Sequence, residues 1–526
     1  MTYNNMSYTK LKIGASYKTD PDDELSEQGI VDILDENDKP TEFVAIRKHH
    51  IYNIERLNKI LVGKKIIGLS SYTNFPQQSI NSHETKENIM EQITDKVILW
   101  LHCFKDPQNY IPYNIPLLLH SETDQYDIRE GHNIACNLKT KDYDFCCYLP
   151  ISDVNEKWCR WVRGADDAVK WLNYMADEMN LKILVVGSIL YKGFSDKIKT
   201  LGFLHHDEWF ANLKLCKFFI NFSRYDASPR IIMDSIMSNI PILLNENILG
   251  GWKYINKDTG MLFFHDADIK HTITTFMGKS YNPRNWINTY HSVEKNQILL
   301  ADTVKQITSF KYEDIVDGIM FINLENRVDR LNEITTEFVK QGIPDHLIHR
   351  IDAVLDITCG HLGCSKSHIK ALEYAKSKNW KRFMIFEDDF IFNIPRERVL
   401  YILTEFLQKY QDNWDVFLIG LHVSYYSKDT DINFIKQIVQ ASTASGYMVN
   451  MNYYDTIYNN YTQGVSLCQN EVDIFKLTNP NERKYTTEFP VDQYWFQLQG
   501  KCRWFTSEGC IGKQSGSGSS IMSGIN

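Results

Sequence analysis

Three carboxylates in a row, Glu387-Asp388-Asp389, follow the apolar run Arg382-Phe383-Met384-Ile385-Phe386. At a strand end, neighbours about 4 to 6 Å apart repel one another by roughly 1 kcal/mol per pair even in a water-like dielectric, so a positive partner is expected beside them. Mg²⁺ or Mn²⁺ suits that position, because either needs only one or two carboxylates when diphosphate oxygens and water complete its shell. A departing diphosphate has the matching need for a cation to neutralise its developing charge. A solvated acidic loop is the competing reading. A second pair of acids stands in Arg224-Tyr225-Asp226-Ala227-Ser228-Pro229-Arg230-Ile231-Ile232-Met233-Asp234. With Pro229 at the first helical position, Asp226 falls in the loop before a helix and Asp234 lies one to two turns into it. Both then face a cleft at the carboxyl ends of parallel strands. The plainer alternative is a loop acid followed by a solvated helix acid.

The elements that must position these acids are short apolar runs bounded by turn residues. Phe43-Val44-Ala45-Ile46, Lys65 to Ser70, Val97 to Leu101 and Pro116 to Leu119 suit buried strands in the first part of the chain. Beyond Arg163, a helix with Asp166 and Asp167 at its start leads to the strand Leu181 to Gly187. The strand Phe218 to Phe222, a helix opened by Ser228-Pro229 and the strand Pro241 to Leu244 follow. Strands alternating with helices of this length predict parallel βαβ units. A helix from Asn288 to Phe310 runs into the charged connector Lys311-Tyr312-Glu313-Asp314, and a new strand starts at Gly318. Helix and strand then alternate through Ser365–Lys378, Arg382–Phe386, Pro395–Tyr410 and Trp414–Leu421, and the Ser/Gly-rich end from Ser515 to Asn526 is expected to be loose. The predicted domains are 1–140, a short Rossmann-like half; 141–312, a second Rossmann-like half; and 313–526.

In the last of these, Ile322-Asn323-Leu324-Glu325-Asn326-Arg327-Val328-Asp329-Arg330 is followed by Gly363-Cys364-Ser365-Lys366-Ser367-His368 and by Phe386-Glu387-Asp388-Asp389. Pro490-Val491-Asp492-Gln493-Tyr494-Trp495 comes next, and then Gln514 with Ser519-Ser520-Ile521. In order and spacing these five motifs resemble glycosyltransferase family 25, the group of lipooligosaccharide and procollagen galactosyltransferases. The resemblance implies an A-type nucleotide-diphospho-sugar transferase fold, inversion at the anomeric carbon and a Mn²⁺-dependent donor site. Carried over, it puts Asn323, Arg327 and Arg330 against the uridine nucleotide, Asp389 on the metal and Asp388 on the ribose or sugar side. His368 is either a packed helix residue or a donor-site contact. Inverting transfer needs a base for the acceptor hydroxyl; Asp492 is the first candidate, and Glu471 and Glu488 are its rivals.

The Asp226 and Asp234 pair resembles the glutamate-x7-glutamate motif of retaining glycosyltransferases of family 4, with two Rossmann-like halves of the B type. The spacing matches, but both acids are Asp, one methylene shorter than the family's Glu. The resemblance implies that Asp226 acts at the reacting centre, that Asp234 holds the ribose and that Arg160 and Arg163 meet the diphosphate without a metal. Val185-Val186-Gly187 and Gly250-Gly251 before Thr259-Gly260 fit the same pattern, whereas a glycine-rich donor loop is missing from a short amino-terminal half. Two readings stay open for residues 1–312: a second active transferase, making the chain bifunctional, or a degenerate one that binds glycan or acts as scaffold.

Composition narrows the field around these motifs. A chain of 526 residues with 43% hydrophobic and 23% charged residues is ordinary globular protein with more than one core. A formal charge of −9 supplies no basic field for nucleic acid. The start, MTYNNMSYTK, is no secretory leader, and no run of about 18 apolar residues occurs, so a soluble cytoplasmic protein without a transmembrane segment is expected. Eleven scattered cysteines point to reduced thiols, and Cys359 to Cys364 lacks the second pair that a zinc knuckle needs. Neither GxxxxGK[ST] nor GxGxxG follows a strand, which excludes P-loop and dinucleotide enzymes. With 29 Tyr and 11 Trp, a sugar-binding protein without catalysis is the non-enzymatic alternative, and only a nucleotide and a metal would tell the two apart. The partners implied are a nucleotide-sugar donor and a glycan or glycoprotein hydroxyl acceptor.

Overall fold

A computed structural model describes residues 8–14, 30–46, 61–70, 93–112, 114–126, 141–150, 157–187, 193–421, 426–486, 488–509 and 511–516. The expected division at residue 140, Ser519–Ile521 and the end of the chain beyond 516 lie outside them. The chain forms two units: residues 1–111 with 117–305, and residues 112–116 with 306–526. The dividing point therefore falls at 305/306 instead of 312/313, and the charged connector becomes the short helix Tyr312–Ile315 of the second unit. Among the described residues no helix is long and apolar enough to cross a membrane.

The first unit holds two sheets. One runs β1 (Lys12–Ile13), β2 (Ile30–Leu34), β3 (Pro40–Ile46), β4 (Lys65–Leu69), β5 (Val97–His102) and β6 (Leu117–Leu119), in that order. Strands β1 to β3 pair antiparallel, and β3 to β6 pair parallel. Among the described residues this strand order follows the sequence without a reversal. The antiparallel start comes from the tight turn after β2, where the Asp35 carboxylate accepts from the amides of Asn37 and Lys39 and leaves β3 beside its predecessor.

The other sheet is fully parallel: β7 (Tyr143–Tyr148), β8 (Ile183–Val186), β9 (Lys199–Leu201), β10 (Cys216–Asn221), β11 (Ile242–Asn245) and β12 (Gly260–Phe263). Its order, β12-β11-β10-β7-β8-β9, reverses between β7 and β10, which is the switch point of a doubly wound Rossmann sheet. Helices Ala165–Asp177 and Ile269–Met277 pack on one face through Trp171, Leu172, Ile273 and Phe276. Helices His206–Lys214 and Arg230–Met237 cover the other through Trp209, Leu213, Ile232 and Ile236. The buried Asp124 carboxylate takes hydrogen bonds from Ser121 N, Tyr254 Oη and His291 Nε2, at 2.6, 2.7 and 2.6 Å, and so ties the end of the first sheet to the second.

The second unit is built on one mixed sheet of β13 (Gly318–Asn323), β14 (Ile348–Asp352), β15 (Arg382–Glu387), β16 (Phe390–Phe392), β17 (Val416–Gly420), β18 (Tyr426–Asp429), β19 (Ile435–Gln440), β20 (Gly446–Asn450), β21 (Trp504–Ser507) and β22 (Gly512–Gln514). Its order is β14-β13-β15-β20-β17-β21-β19-β18, with β16 and β22 paired beside it. β14, β13 and β15 are parallel, whereas β20 runs antiparallel to both β15 and β17. Apolar clusters fill both faces: one collects Phe338, Phe386, Phe406 and Trp414, the other Leu372, Tyr447, Trp495 and Trp504.

Candidate functional site

In the second unit, the register pairs Ile322 of β13 with Glu387 of β15, so the ends of two parallel strands deliver Asn323 and the acidic run to one place. Asn323 is 1% exposed and donates from Nδ2 to Asp388 Oδ2 at 2.8 Å. Arg330, on helix Val328–Lys340, donates from one nitrogen to Asp388 Oδ1 at 3.0 Å and to Asp389 Oδ2 at 3.2 Å. The positive partner required by the acids is thus supplied in part by the chain itself. Asn323, expected to meet the nucleotide, is buried and orients Asp388. Arg327, expected beside it, forms an ion pair with its neighbour Asp329 at 2.7 Å and lies outside the cleft.

The cleft measures about 730 Å³ and is lined by Leu324, Arg330, Val354, Asp356, Cys364, Glu387, Asp388, Asp389, Arg483 and Gln514, among others. Burial, against the opposing help of Asn323 and Arg330, pushes the Asp388 carboxyl up. Burial and the neighbouring Glu387 charge push Asp389 up to about 7. Asp389 Oδ1 is buried and makes no hydrogen bond. Glu387 behaves in the opposite way: burial raises it, but contacts from His368, Cys364 and Gln514 outweigh that and keep it ionised.

His368, on helix Gly360–Ser377, is fully buried between Tyr447 Oη, 2.9 Å from Nδ1, and Glu387 Oε1, 3.4 Å from Nε2. It is therefore a packed residue that acts on Glu387. The donor atoms of Cys364, His368 and Glu387 lie within 4.8 Å of one another, the spacing of a cation site. Cys359 points elsewhere, into a cluster with Leu362, Cys468 and Val472. Asp492, on helix Val491–Tyr494, is half-buried, accepts from Thr443 N at 3.1 Å and is raised by burial and by the Glu387 charge. Of its rivals, Glu471 is paired with Lys484 at 3.0 Å and Glu488 is exposed.

The first unit places its acids at the switch point, where Tyr148, Val186 and Asn221 end β7, β8 and β10 around a cleft of about 1040 Å³. Gly164 makes the approach possible: its φ is +60°, and a Cβ there would sit 2.2 Å from Phe222 O. Arg163, one residue earlier, reaches Asp226 at 3.1 Å. Burial, only partly offset by Arg163, raises Asp226. Asp234, on helix Arg230–Met237, is 4% exposed, accepts from Trp209 Nε1 at 3.2 Å and is pushed by burial up to about 7. Arg160 pairs with Asp166 at the start of the next helix and is not among the residues that line the cleft. Arg230 was overlooked, although it stands one helical turn before Asp234 and so on the same face. Arg483 of the other cleft had no comparable sequence signal, and Cys364 stood inside a quoted motif without being given a role.

Comparison with known proteins makes the chain a glycosyltransferase. Residues 344–469, from just before β14 into helix Tyr454–Thr478, match the profile of Glycosyltransferase family 25 (LPS biosynthesis protein). No curated protein matches the sequence. Among solved structures, sucrose-phosphate synthase from Thermosynechococcus elongatus is 9% identical with a TM-score of 0.36, covering 51% of this chain and 74% of its own. HepE from Anabaena, in complex with UDP-glucose, is 10% identical with a TM-score of 0.36, covering 50% and 79%. A variant of TarM from S. aureus, in complex with Fondaparinux, alpha-GlcNAc-glycerol and UDP, is 13% identical with a TM-score of 0.35, covering 48% of this chain and 52% of its own.

Proposed function

We propose that the second unit is an A-type transferase that moves a sugar from a UDP-linked donor to an acceptor hydroxyl with inversion, using Mn²⁺. The observation that carries this reading is Asp389: a desolvated carboxylate, raised to about 7, with one buried oxygen lacking any hydrogen bond and the other on Arg330. A hard divalent cation is what such an oxygen fits. Asp389 would hold the cation, and Asp388, oriented by Asn323 and Arg330, would face the ribose or sugar. When bound, Mn²⁺ supplies charge neutralisation for the leaving diphosphate. Arg330 and Arg483, both lining the cleft, add fixed positive charge. Asp492, raised by burial and by Glu387, is the proposed base for the acceptor hydroxyl.

The first unit is proposed to be a second, metal-free transferase of the B type. This reading is favoured by the Arg163–Asp226 pair and Asp234 in one cleft at the sheet's switch point. The test is hydrolysis of a panel of UDP-sugars by the intact chain, with and without Mn²⁺. Asp389→Asn should remove the Mn²⁺-dependent turnover by about a hundredfold or more. Asp226→Asn should remove a metal-independent remainder. Turnover indifferent to chelator and to Asp389→Asn would sink the metal site, and a remainder indifferent to Asp226→Asn would leave the first unit as a binding or scaffold module.

A further inference from the structure

The helix Lys157–Arg163 has the sequence Lys-Trp-Cys-Arg-Trp-Val-Arg, which sets two tryptophans three residues apart and so on one face. Both are open to solvent, Trp158 by 50% and Trp161 by 45%. Their rings stack with centroids 5.2 Å apart and planes at 26°, and the Tyr225 ring meets Trp158 edge-on at 5.4 Å and Trp161 at 6.0 Å. Tryptophan is among the costliest side chains to leave in water, and a contiguous aromatic patch on a folded surface marks a binding site.

Two features of the surroundings say what kind of ligand fits. Three nearby arginines are neutralised within the fold, Arg160 by Asp166, Arg163 by Asp226 and Arg224 by Asp167, while Lys157 at the helix start is exposed. The patch therefore presents flat, electron-rich faces with little net positive charge, which suits a neutral partner better than an anionic surface. The face of a pyranose ring, with its axial C–H bonds, is such a partner. The patch is also tied to two residues that line the cleft of the first unit, Arg163 and Asp226. Val162 O accepts from the amides of Arg224 and Tyr225 at 2.8 and 3.3 Å, which ties the helix end to the loop carrying Asp226. Tyr225 immediately precedes Asp226, and Arg163 follows Trp161 by two residues.

We propose that Trp158, Trp161 and Tyr225 form a stacking platform for a neutral glycan, which is the acceptor presented to the cleft at Asp226. Its role as acceptor rests on reading that cleft as a transfer site; its binding of glycan does not, and the two are measured separately. The intact chain is titrated with neutral hexasaccharides of the malto, cello, chito and galacto series, following tryptophan fluorescence, and UDP binding is measured in parallel by calorimetry. At least one hexasaccharide is expected to saturate. Trp158→Ala with Trp161→Ala should weaken it roughly tenfold or more, and Trp158→Phe with Trp161→Phe should keep most of the affinity because the rings remain. Both rings are exposed, so the double variants should melt like the parent chain.

Glycan binding without UDP binding would uphold the platform while failing the transfer reading of the cleft. The proposal is overturned if no hexasaccharide saturates at millimolar concentration, or if the alanine pair binds as tightly as the parent. It is also overturned if the tryptophans govern sedimentation with phosphatidylglycerol vesicles and no oligosaccharide binds, since the helix would then be a membrane contact.

Discussion

Asp234 and Asp389 reach the same elevated pKa, about 7, in different company. Asp389 is raised by burial and by the charge of Glu387, against Arg330, and so calls for a second cation. Asp234 is raised by burial alone and relieved by Trp209 and Arg230, so its carboxylate is costly without being a metal ligand. The sign of the linkage follows. Between about pH 4 and pH 7 the folded chain keeps a proton on Asp234 that the unfolded chain has lost, so stability falls as pH rises through that window. Below it both states are protonated and the penalty vanishes. Asp234→Asn keeps an acceptor for Trp209 and removes the titration. Relative to the parent it should be more stable by about 1.5 kcal/mol at about pH 5 and by up to about 4 kcal/mol at about pH 8. Thermal unfolding of the intact chain at the two pH values decides this, and an equal difference at both would contradict the burial argument.

The acidic run holds its place because of the strand that follows it. Phe390, directly after Asp389, opens β16 and fits a space left by glycines of three other strands: a Cβ on Gly420, Gly446 or Gly512 would lie 2.9, 2.7 or 2.0 Å from its ring. The same pairing of β16 with β22 brings Ser515 N to Asp389 O at 2.7 Å and Gln514 to Glu387. Gly512→Ala should therefore move Phe390 and the acids together. Overpacking of this kind costs about 1–3 kcal/mol, and donor turnover should fall with stability. Adding Phe390→Leu should restore part of the lost melting temperature; if the double variant is as unstable as the sum of the two, the socket is not the cause. This element also shows what a sequence discloses. Glu387 to Asp389 and its strand, like Asp226 and Asp234 around their helix start, were legible because apolar runs, turn residues and acids are local signals. The socket was not, because its glycines are scattered over almost a hundred positions of chain. Strand β7, central to the parallel sheet, was missed for another reason: Cys146 and Cys147, both fully buried, pack as small apolar residues but had been weighed only as thiols. Asn323 was legible as a site residue, yet its job of orienting Asp388 depends on a neighbouring strand that sequence spacing does not reveal.

At the scale of the whole chain, the two units are not successive in sequence. Residues 112–116 belong to the second unit although residues on both sides of them belong to the first. Asn114 supplies the reason for their place: Arg398, 1% exposed, donates to the Asn114 backbone carbonyl at 3.3 Å and to its side-chain oxygen, while Asn114 Nδ2 donates to Glu508 O at 3.1 Å. A guanidinium so deeply buried needs those acceptors, since a charged donor left without one costs more than a neutral hydrogen bond returns. A chain cut at the sequence-predicted boundary, leaving 313–526 alone, would discard them. The proposed site of the first unit must accordingly be silenced by substitution in the intact protein, with Asp226→Asn and Asp389→Asn in place of fragments. Asn114→Ala tests the point directly. It should lower the stability of the second unit by about 1–3 kcal/mol and leave the unfolding of the first unit where it was, as read by denaturant titration with hydrogen exchange assigning each transition to its unit. Fragment 313–526 should be less stable still, because it also loses the backbone carbonyl. If the fragment unfolds at the same denaturant concentration as that unit does in the parent chain, residues 112–116 contribute nothing, and the two units are separable modules after all.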